Sequence, residues 1–243
     1  RLNLFLPQVP GPNIQEDDAL AGEETCGEAY DVILSAPPFM TPKGGIAPHG
    51  RYRISSGRSE LLFVDYIAEH LSPRGRAGVI VPRSFGFLSG GAYRRLRAYL
   101  VDGNLLYGVI SLPAGTLSSH SAVEASVLLL DKDLAPRREH ILFARLGLPQ
   151  SPSRRRSQTG GEAQDILQAV RAFQAGEDPG PFAVLVEKAR FPSRDYSLEA
   201  GEYQPRPKAG GTYPLVRLGD VCGVNAEAVN PGLAFGDGPF LYL

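Results

Sequence analysis

The stretch Tyr30–Phe39 (YDVILSAPPF) constrains the fold of this chain more than any other. Asp31–Leu34 is a short apolar run bounded by chain breakers, which is typical of a strand buried on both faces of a parallel sheet. Pro37 and Pro38 disfavour both sheet pairing and helix entry, so the backbone beyond the strand stays extended and stiff. Ligands of open α/β sheets bind beyond the carboxyl ends of strands. The stretch is therefore either a ligand-binding loop or a plain strand end in which Phe39 fills the core.

The pattern that follows predicts a doubly wound α/β sheet. A helix over Ser59–Leu71, capped by Ser56 or Ser59, and a short basic helix over Gly91–Leu100 alternate with apolar strands. Those strands are predicted over Ala77–Val81, Asn104–Leu112 and Glu124–Asp131. The order strand, helix, strand, helix, strand, strand indicates a sheet whose final pair forms a hairpin.

The character of the chain changes beyond Leu134. A strand is predicted over Ile141–Arg145, an amphipathic helix over Asp165–Gln174 and a short strand over Phe182–Val186. The Pro-, Ser- and Arg-rich stretch between the first two is typical of a flexible linker. We therefore divide the chain into a main domain (1–148), a linker (149–162), an α/β extension (163–212) and the start of a further β-rich unit (213–243).

Composition excludes several protein classes. A hydrophobic fraction of 43% over 243 residues is ordinary for a globular protein. No apolar run approaches the ~20 residues of a membrane span, so no membrane partner is expected. The two cysteines, Cys26 and Cys222, lie far apart, and the histidines show no ligand spacing, so we expect a reduced, cytoplasmic protein without a metal site. The chain opens without Met, which indicates a fragment or a processed product.

Charge is distributed unevenly although the net charge is only −1. Residues 1–42 hold seven acids against one base, and residues 43–97 hold ten bases against three acids. Such an excess of positive charge suits a polyanionic partner, and arginine suits phosphate in particular. It is equally consistent with a solvated face in an Arg-rich chain. Glu60 and Asp65 are expected to be surface acids, and the arginines of the second helix are expected to be exposed.

Collinear motifs along residues 1–205 resemble the N6-adenine DNA methyltransferases, in particular the modification subunit of type I restriction systems. The similar segments are Asn3–Leu6, Asp17–Leu20, Asp31–Phe39, Gly75–Pro82, Ala92–Leu100, Asn104–Thr116 and Arg194–Tyr203. The resemblance implies an S-adenosylmethionine-dependent, Rossmann-like methyltransferase with a mixed sheet, N-terminally incomplete and with a C-terminal α/β extension. Residues 213–243 resemble the opening of a target-recognition domain of a specificity subunit. They are equally consistent with a peripheral hairpin.

The resemblance also implies site residues. By position, the Pro37 carbonyl would accept a hydrogen of the target amino group, Pro38 would stiffen the loop and Phe39 would stack on the base. The family's Asn position holds Ala36, which has no acceptor, so we expect little or no methyl transfer. Whether Ala36 is natural or introduced stays open. Asp18 matches the acid that contacts the cofactor adenine, or it is a solvated acid at a strand end.

Cofactor and partners follow from the same resemblance. S-adenosylmethionine is the implied cofactor, although the glycine loop that binds it is absent, so we expect weak binding. Double-stranded DNA is the implied substrate, contacted by Lys43, Arg51, Arg53 and Arg58, and specificity and restriction subunits are the implied partners. A rival hypothesis is a non-catalytic DNA-binding or assembly module of a restriction–modification complex. A third is a related methyltransferase fold that acts on protein or RNA.

Overall fold

A mixed β-sheet forms the centre of the protein. The computed structural model describes Leu20 and residues 29–39, 52–117, 123–147 and 159–204. Within these residues six strands pair in the order β1-β2-β4-β3-β5-β6. The strands are β1 (Tyr30–Ser35), β2 (Leu71–Pro82), β3 (Leu106–Leu112), β4 (Ala125–Asp131), β5 (His140–Arg145) and β6 (Ala183–Glu187).

Strand directions bring several carboxyl ends to one edge of the sheet. β1 runs parallel to β2, and β3 runs parallel to β5. β4 is antiparallel to both β2 and β3, so those two strands also point the same way. β1, β2, β3 and β5 therefore end at the same edge. The predicted hairpin between the third and fourth strands is the antiparallel pair β3–β4, and the predicted α/β class is confirmed.

Helices cover both faces of this sheet. α1 (Ser59–His70) and α2 (Gly91–Asp102) pack on one face, and α3 (Thr159–Ala175) packs on the other. The alternation of side chains along β5 separates the two layers, because Ile141 and Phe143 face the first cluster whereas Leu142 and Ala144 face the second. Each face thus buries its own apolar core. α3 begins six residues before the helix predicted from Asp165, inside the predicted linker.

β2 begins at Leu71, six residues before the predicted strand Ala77–Val81, and therefore contains Pro73 and Gly75. Tyr30 pairs with Leu71, and the next partnered position, Val32, pairs with Arg76. The step of two residues from Tyr30 to Val32 in β1 is thus matched by a step of five residues along β2. The extra residues of β2 form a bulge in the ladder. Pro73 and Gly75 therefore lie at an irregularity within one long strand rather than at its end.

β1 departs from the expectation of a fully buried strand. Within the described residues it pairs only with β2, and its outward side chains Val32 and Leu34 are 53% and 83% exposed. The aliphatic run therefore predicted the strand correctly but not the burial of its side chains. Ile33, on the opposite side of the strand, packs against the core formed with α1 and α2.

The C-terminal extension continues the same sheet. β6 pairs antiparallel with β5, and α3 packs over β5. The described residues up to Gln204 belong to one compact unit, and residues 205–243 lie outside the described part of the chain. The domain bounds given above remain predictions. No helix of the described part is long and apolar enough to span a membrane.

Arg97 of α2 is the largest fully buried side chain, contrary to the expectation of an exposed arginine. Its guanidinium donates to the carbonyls of Phe85 and Leu88 (2.9 Å each), Tyr196 (2.8 Å) and Asp195 (3.2 Å). Burial lowers the pKa of Arg97 below its ordinary value. The Arg97 side chain thus joins the turn after β2 to Arg194–Tyr203, which we call the C-terminal segment. In this segment, Asp195 and Tyr196 adopt left-handed backbone angles.

Replacing Arg97 by methionine should destabilise the protein by about 2–4 kcal/mol, because several buried carbonyls lose their donor at once. The neighbouring exposed Arg95→Met serves as the matched control and should change the unfolding free energy by less than about 0.5 kcal/mol. Urea unfolding followed by circular dichroism measures both. Equal unfolding free energies for the two variants would show that the Arg97 contacts are not stabilising.

Candidate active site

The Ala36–Phe39 loop lies at the sheet edge where β1, β2, β3 and β5 end. It leaves β1 directly, and Pro37 is buried while Ala36 and Pro38 are exposed and Phe39 is half-buried. This is the edge at which open α/β sheets bind ligands. Phe39 is not a fully buried core residue, so the aromatic ring keeps part of its surface available.

A hydrogen bond from α1 fixes the loop. The Ser59 hydroxyl, itself 2% exposed, donates to the Pro38 carbonyl at 2.6 Å. Ser59 was predicted as a possible helix cap, but the N-cap of α1 is Arg58 and makes no side-chain capping bond. Ser56, the other predicted cap, instead accepts the Arg58 backbone N–H at 3.0 Å. The hydroxyl at the start of α1 therefore holds the loop rather than the helix end.

Two acids of α1 are buried, which corrects the expectation of surface positions. Glu60 and Asp65 are 2% and 1% exposed. Glu60 faces α2, where its Oε1 accepts the Tyr93 hydroxyl at 2.8 Å and its Oε2 has no partner within the described chain. Burial, followed by the hydrogen bond to Glu60, raises the pKa of Tyr93 to about 12. Glu60 thus couples the helix that carries Ser59 to α2.

Arg53 is engaged within the protein. Its backbone N–H donates to Asp65 Oδ2 at 2.7 Å, its guanidinium contacts Oδ1 at 3.2 Å, and its charge lies 4.5 Å from the centre of the Tyr99 ring. The side chain is 44% exposed, so it anchors the segment after the loop while keeping a surface. Arg58 is exposed at the start of α1. Asp18, Lys43 and Arg51 lie outside the described residues, and the DNA contacts of all four basic residues remain predictions.

A second charged group at the same edge was not predicted from sequence. Arg83, just after β2, forms a bidentate pair with Glu199 (3.0 and 2.9 Å) and also pairs with Glu124 at the start of β4. Hydrogen bonds to Glu199 and then Glu124 raise the pKa of Arg83 above its ordinary value. Glu199 belongs to the Arg194–Tyr203 segment, and only that motif's resemblance signalled its importance. The group lines a cleft of about 250 Å³ at the ends of β3 and β5.

Beside the Ala36–Phe39 loop, the described residues offer backbone carbonyls, an aromatic face and one buried hydroxyl. No cluster of three or more His, Cys, Asp or Glu side chains suited to a metal ion occurs in the described ranges.

A mixed α/β sheet with helices on both faces and a Pro-Pro-Phe loop at its carboxyl edge is the arrangement of a Rossmann-like methyltransferase domain. Residues 1–209 match the family model described as N-6 DNA Methylase. The chain therefore belongs to the N-6 DNA methylase family.

Curated relatives are methylase subunits of type I restriction enzymes. The chain is 23% identical over 223 residues to the MpnII methylase subunit of Mycoplasma pneumoniae, covering 84% of this chain and 40% of that protein. It is 29% identical over 134 residues to the EcoEI methylase subunit of Escherichia coli, covering 54% of this chain and 27% of that protein. The chain thus spans less than half the length of these relatives.

Solved structures share the fold. The crystal structure of the type I restriction enzyme EcoKI M protein matches with a TM-score of 0.61 at 17% identity, over 81% of this chain and 49% of that one. A type I restriction–modification methyltransferase subunit from Streptococcus thermophilus gives a TM-score of 0.60 at 19% identity, over 81% and 44% of the two chains. At these identities the likeness establishes the fold alone.

Replacing Ser59 by alanine should free the Pro38 carbonyl and cost about 1–2 kcal/mol of unfolding free energy. Amide exchange in the peptide containing Phe39 should rise at the same time, because the loop loses its tether to α1. Exposed Ser55→Ala is the matched control. If the two variants exchange and unfold alike, the Ser59 hydroxyl does not hold the loop.

The raised pKa of Tyr93 gives stability a pH dependence. Because the folded state favours the neutral phenol, the stabilisation from Tyr93 is complete below its ordinary pKa of 10 and is lost as pH rises towards about 12. The difference in unfolding free energy between the unaltered protein and Tyr93→Phe should therefore shrink across that window. Denaturant titrations at a series of alkaline pH values measure it, and a constant difference would contradict the assignment.

Proposed function

We propose that this chain is part of the modification subunit of a type I restriction–modification system and that it holds the target adenine during N6-methylation of double-stranded DNA. The observation that carries the proposal is the Ala36–Phe39 loop, placed at the carboxyl edge of the sheet and tied to α1 through Ser59. Family membership and the shared fold support it.

The loop's chemistry fits an extruded base. An adenine amino group is reached only when the base leaves the stack. Its nitrogen is a poor nucleophile because the lone pair is delocalised into the ring. A carbonyl that accepts an amino hydrogen favours the tetrahedral nitrogen, and the Pro37 carbonyl is assigned that role by resemblance. Phe39 would stack on the base. Two prolines and the Ser59 hydrogen bond keep these groups in place without reorganisation.

Ala36 makes the proposed activity weak. The family Asn would accept the second amino hydrogen, and alanine cannot. One hydrogen of the amino group would remain without a protein acceptor, at a cost of about 1–3 kcal/mol. Loss of a single well-placed polar group from such a site reduces rate by about 10²–10³-fold. We therefore propose that the protein binds its target base but transfers methyl slowly.

S-adenosylmethionine is the methyl donor that we propose, since it supplies an electrophilic methyl group on a sulfonium. Asp18 would contact its adenine by resemblance. Leu20, two positions later in the sequence, is 5% exposed, and its carbonyl accepts the Tyr52 hydroxyl at 3.3 Å. This hydrogen bond joins the chain near Asp18 to the segment that follows the Pro-Pro-Phe loop, as a shared donor and base site requires.

Duplex DNA is the substrate that we propose, with specificity and restriction subunits as partners in the cytoplasm. The basic segment beyond the loop would follow the phosphates that flank the extruded base. Arg58 is exposed at the start of α1, next to Ser59, and Arg53 keeps an exposed guanidinium held by Asp65. Lys43 and Arg51 complete the set assigned from the sequence. Their phosphate contacts would weaken as salt concentration rises.

A second candidate function is a non-catalytic DNA-binding or assembly module. The observation that favours it is Ala36, because a module that never transfers methyl has no need of the amide. Both candidates use the same loop and the same basic surface. They differ in whether a hydrogen-bond acceptor at position 36 would restore methyl transfer.

Restoring the acceptor in the full-length gene product, Ala36→Asn, should raise the rate of adenine N6-methylation by about 10²–10³-fold. Ala36→Leu is the matched control, because it adds similar volume without an acceptor, and it should give no gain. Transfer of labelled methyl from S-adenosylmethionine to unmodified DNA, with N6-methyladenine identified after digestion, measures both. Duplex binding by Ala36→Asn without any methylation would favour the non-catalytic module instead.

A further inference from the structure

Two apolar side chains stand exposed beside the candidate active site. Phe87 and Leu88, which we call the Phe87 ridge, are 48% and 36% exposed. They follow a 3₁₀ turn, Arg83–Gly86, at the carboxyl end of β2. Because β2 is the parallel neighbour of β1, the ridge and the Ala36–Phe39 loop extend from adjacent strands at the same edge.

The backbone of the ridge is fixed. The N–H groups of Phe87 and Leu88 both donate to the Ser84 carbonyl, at 3.2 and 3.0 Å, and the carbonyl of Leu88 accepts from buried Arg97. The Leu198 N–H donates to the carbonyl of Gly86 at 2.9 Å. Ser84 of the turn itself, Arg97 of α2 and Leu198 thus hold the backbone of Phe87 and Leu88, whose side chains are exposed. Exposed aromatic surface on a rigid backbone is typical of a contact site rather than of a mobile loop.

The charge around the ridge indicates the kind of partner. Residues 83–101 contain four arginines and no acidic residue. Arg83 and Arg94 are paired with Glu199 and with Asp195, respectively, whereas exposed Arg95 forms no ion pair in the described part of the chain. Two exposed apolar residues followed in the sequence by an exposed arginine without an ion pair suit a nucleic acid, where phosphate meets the charge and the base stack meets the apolar group.

We propose that the Phe87 ridge enters the DNA duplex at the target position and fills the space that the extruded adenine leaves. This inference rests on the proposed function, because only a base taken from the stack creates such a space. The Phe87 ring would stack on the adjacent base pair, Leu88 would cover its edge, and Arg95 would contact a nearby phosphate. The loop then holds the base while the ridge holds the gap open.

The test uses the full-length protein assembled with its specificity subunit and a duplex selected by that complex from a random pool. The adenines of the duplex are replaced one at a time by 2-aminopurine, whose fluorescence rises when it leaves the stack. Phe87→Ala is compared with Phe87→Trp and with Leu167→Ala. Leu167 is the matched control, since it is 41% exposed on α3, over the opposite face of the sheet.

Phe87→Ala should weaken duplex binding by roughly tenfold, the scale of one base-stacking contact, and should abolish most of the fluorescence rise. Phe87→Trp should retain both, because it preserves the aromatic face, and Leu167→Ala should match the unaltered protein. Normal binding and fluorescence in Phe87→Ala would overturn the inference. Weaker duplex binding that accompanies loss of the specificity subunit from the Phe87→Ala complex would assign the ridge to a protein interface and would also overturn it.

The unaltered protein distinguishes this failure from failure of the proposed function. If the unaltered complex selects no duplex, or no 2-aminopurine position brightens, the adenine-binding function fails and the role of the ridge fails with it. If one position brightens in the unaltered complex and equally in Phe87→Ala, only the inference about the ridge fails. Thermal unfolding of each variant confirms that an exposed substitution has left the fold intact.

Discussion

The buried guanidinium of Arg97 organises the edge of the sheet on which the candidate site lies. A charged group of this size is expensive to bury, and its cost is offset only when its donors are used. Arg97 meets this condition with backbone carbonyls from two distant segments, at Phe85 and Leu88 and at Asp195 and Tyr196. Carbonyls have no charge to remove by titration, so these acceptors remain available at any pH at which the protein is folded. The turn after β2 and the C-terminal segment are consequently held together as one piece.

This connection explains how a segment a hundred residues away in sequence reaches the site. Once Asp195 and Tyr196 are docked on Arg97, the chain that follows carries Leu198 to the carbonyl of Gly86 and Glu199 to the guanidinium of Arg83. The left-handed backbone of Asp195 and Tyr196 is unfavourable for residues with side chains, and the contacts that Arg97 provides offset it. The C-terminal segment is therefore part of the domain's edge and not an appendage.

Sequence patterns predicted the positions of the strands and helices more successfully than the burial of the side chains on them. Apolar runs identified β1, β3 and β4, and helical spacing identified α1 and α2, because both signals depend on side chains facing a core. The same signals do not tell which polar residues are buried. Glu60, Asp65 and Arg97 occur on amphipathic helices, where polar residues are normally solvated, and their burial depends on partners in other elements. Likewise, the exposure of Val32 and Leu34 depends on pairing across the sheet, which no local window contains.

The features of the candidate site likewise divide into those that a local sequence pattern reveals and those that it does not. The Pro-Pro-Phe loop was recognisable because proline imposes its geometry locally. The Ser59 hydrogen bond spans 21 positions, and the Arg83–Glu199 pair spans 116, so neither leaves a local pattern. Of these distant contacts, the Ser59 hydrogen bond fixes the orientation of the loop. In the proposed site, that orientation determines how strongly the missing acceptor at Ala36 affects binding and methyl transfer. In the proposed site, a loop that shifted could offer another oxygen to the second amino hydrogen, and the two prolines and the Ser59 hydrogen bond oppose such a shift.

In the proposed site, water would be the remaining acceptor beside Ala36. That residue is exposed, so a water molecule can take the place that an amide oxygen would occupy and accept the hydrogen. Such a bond recovers much of the binding energy of a direct hydrogen bond. It recovers less of the rate, because a water molecule must reorient as charge develops on the nitrogen, whereas a fixed amide is already oriented. In the proposed function, the two tasks of the site therefore separate physically: holding an extruded adenine would depend on the loop, the aromatic ring and the surrounding edge, and activating its nitrogen would depend on the one acceptor that Ala36 lacks.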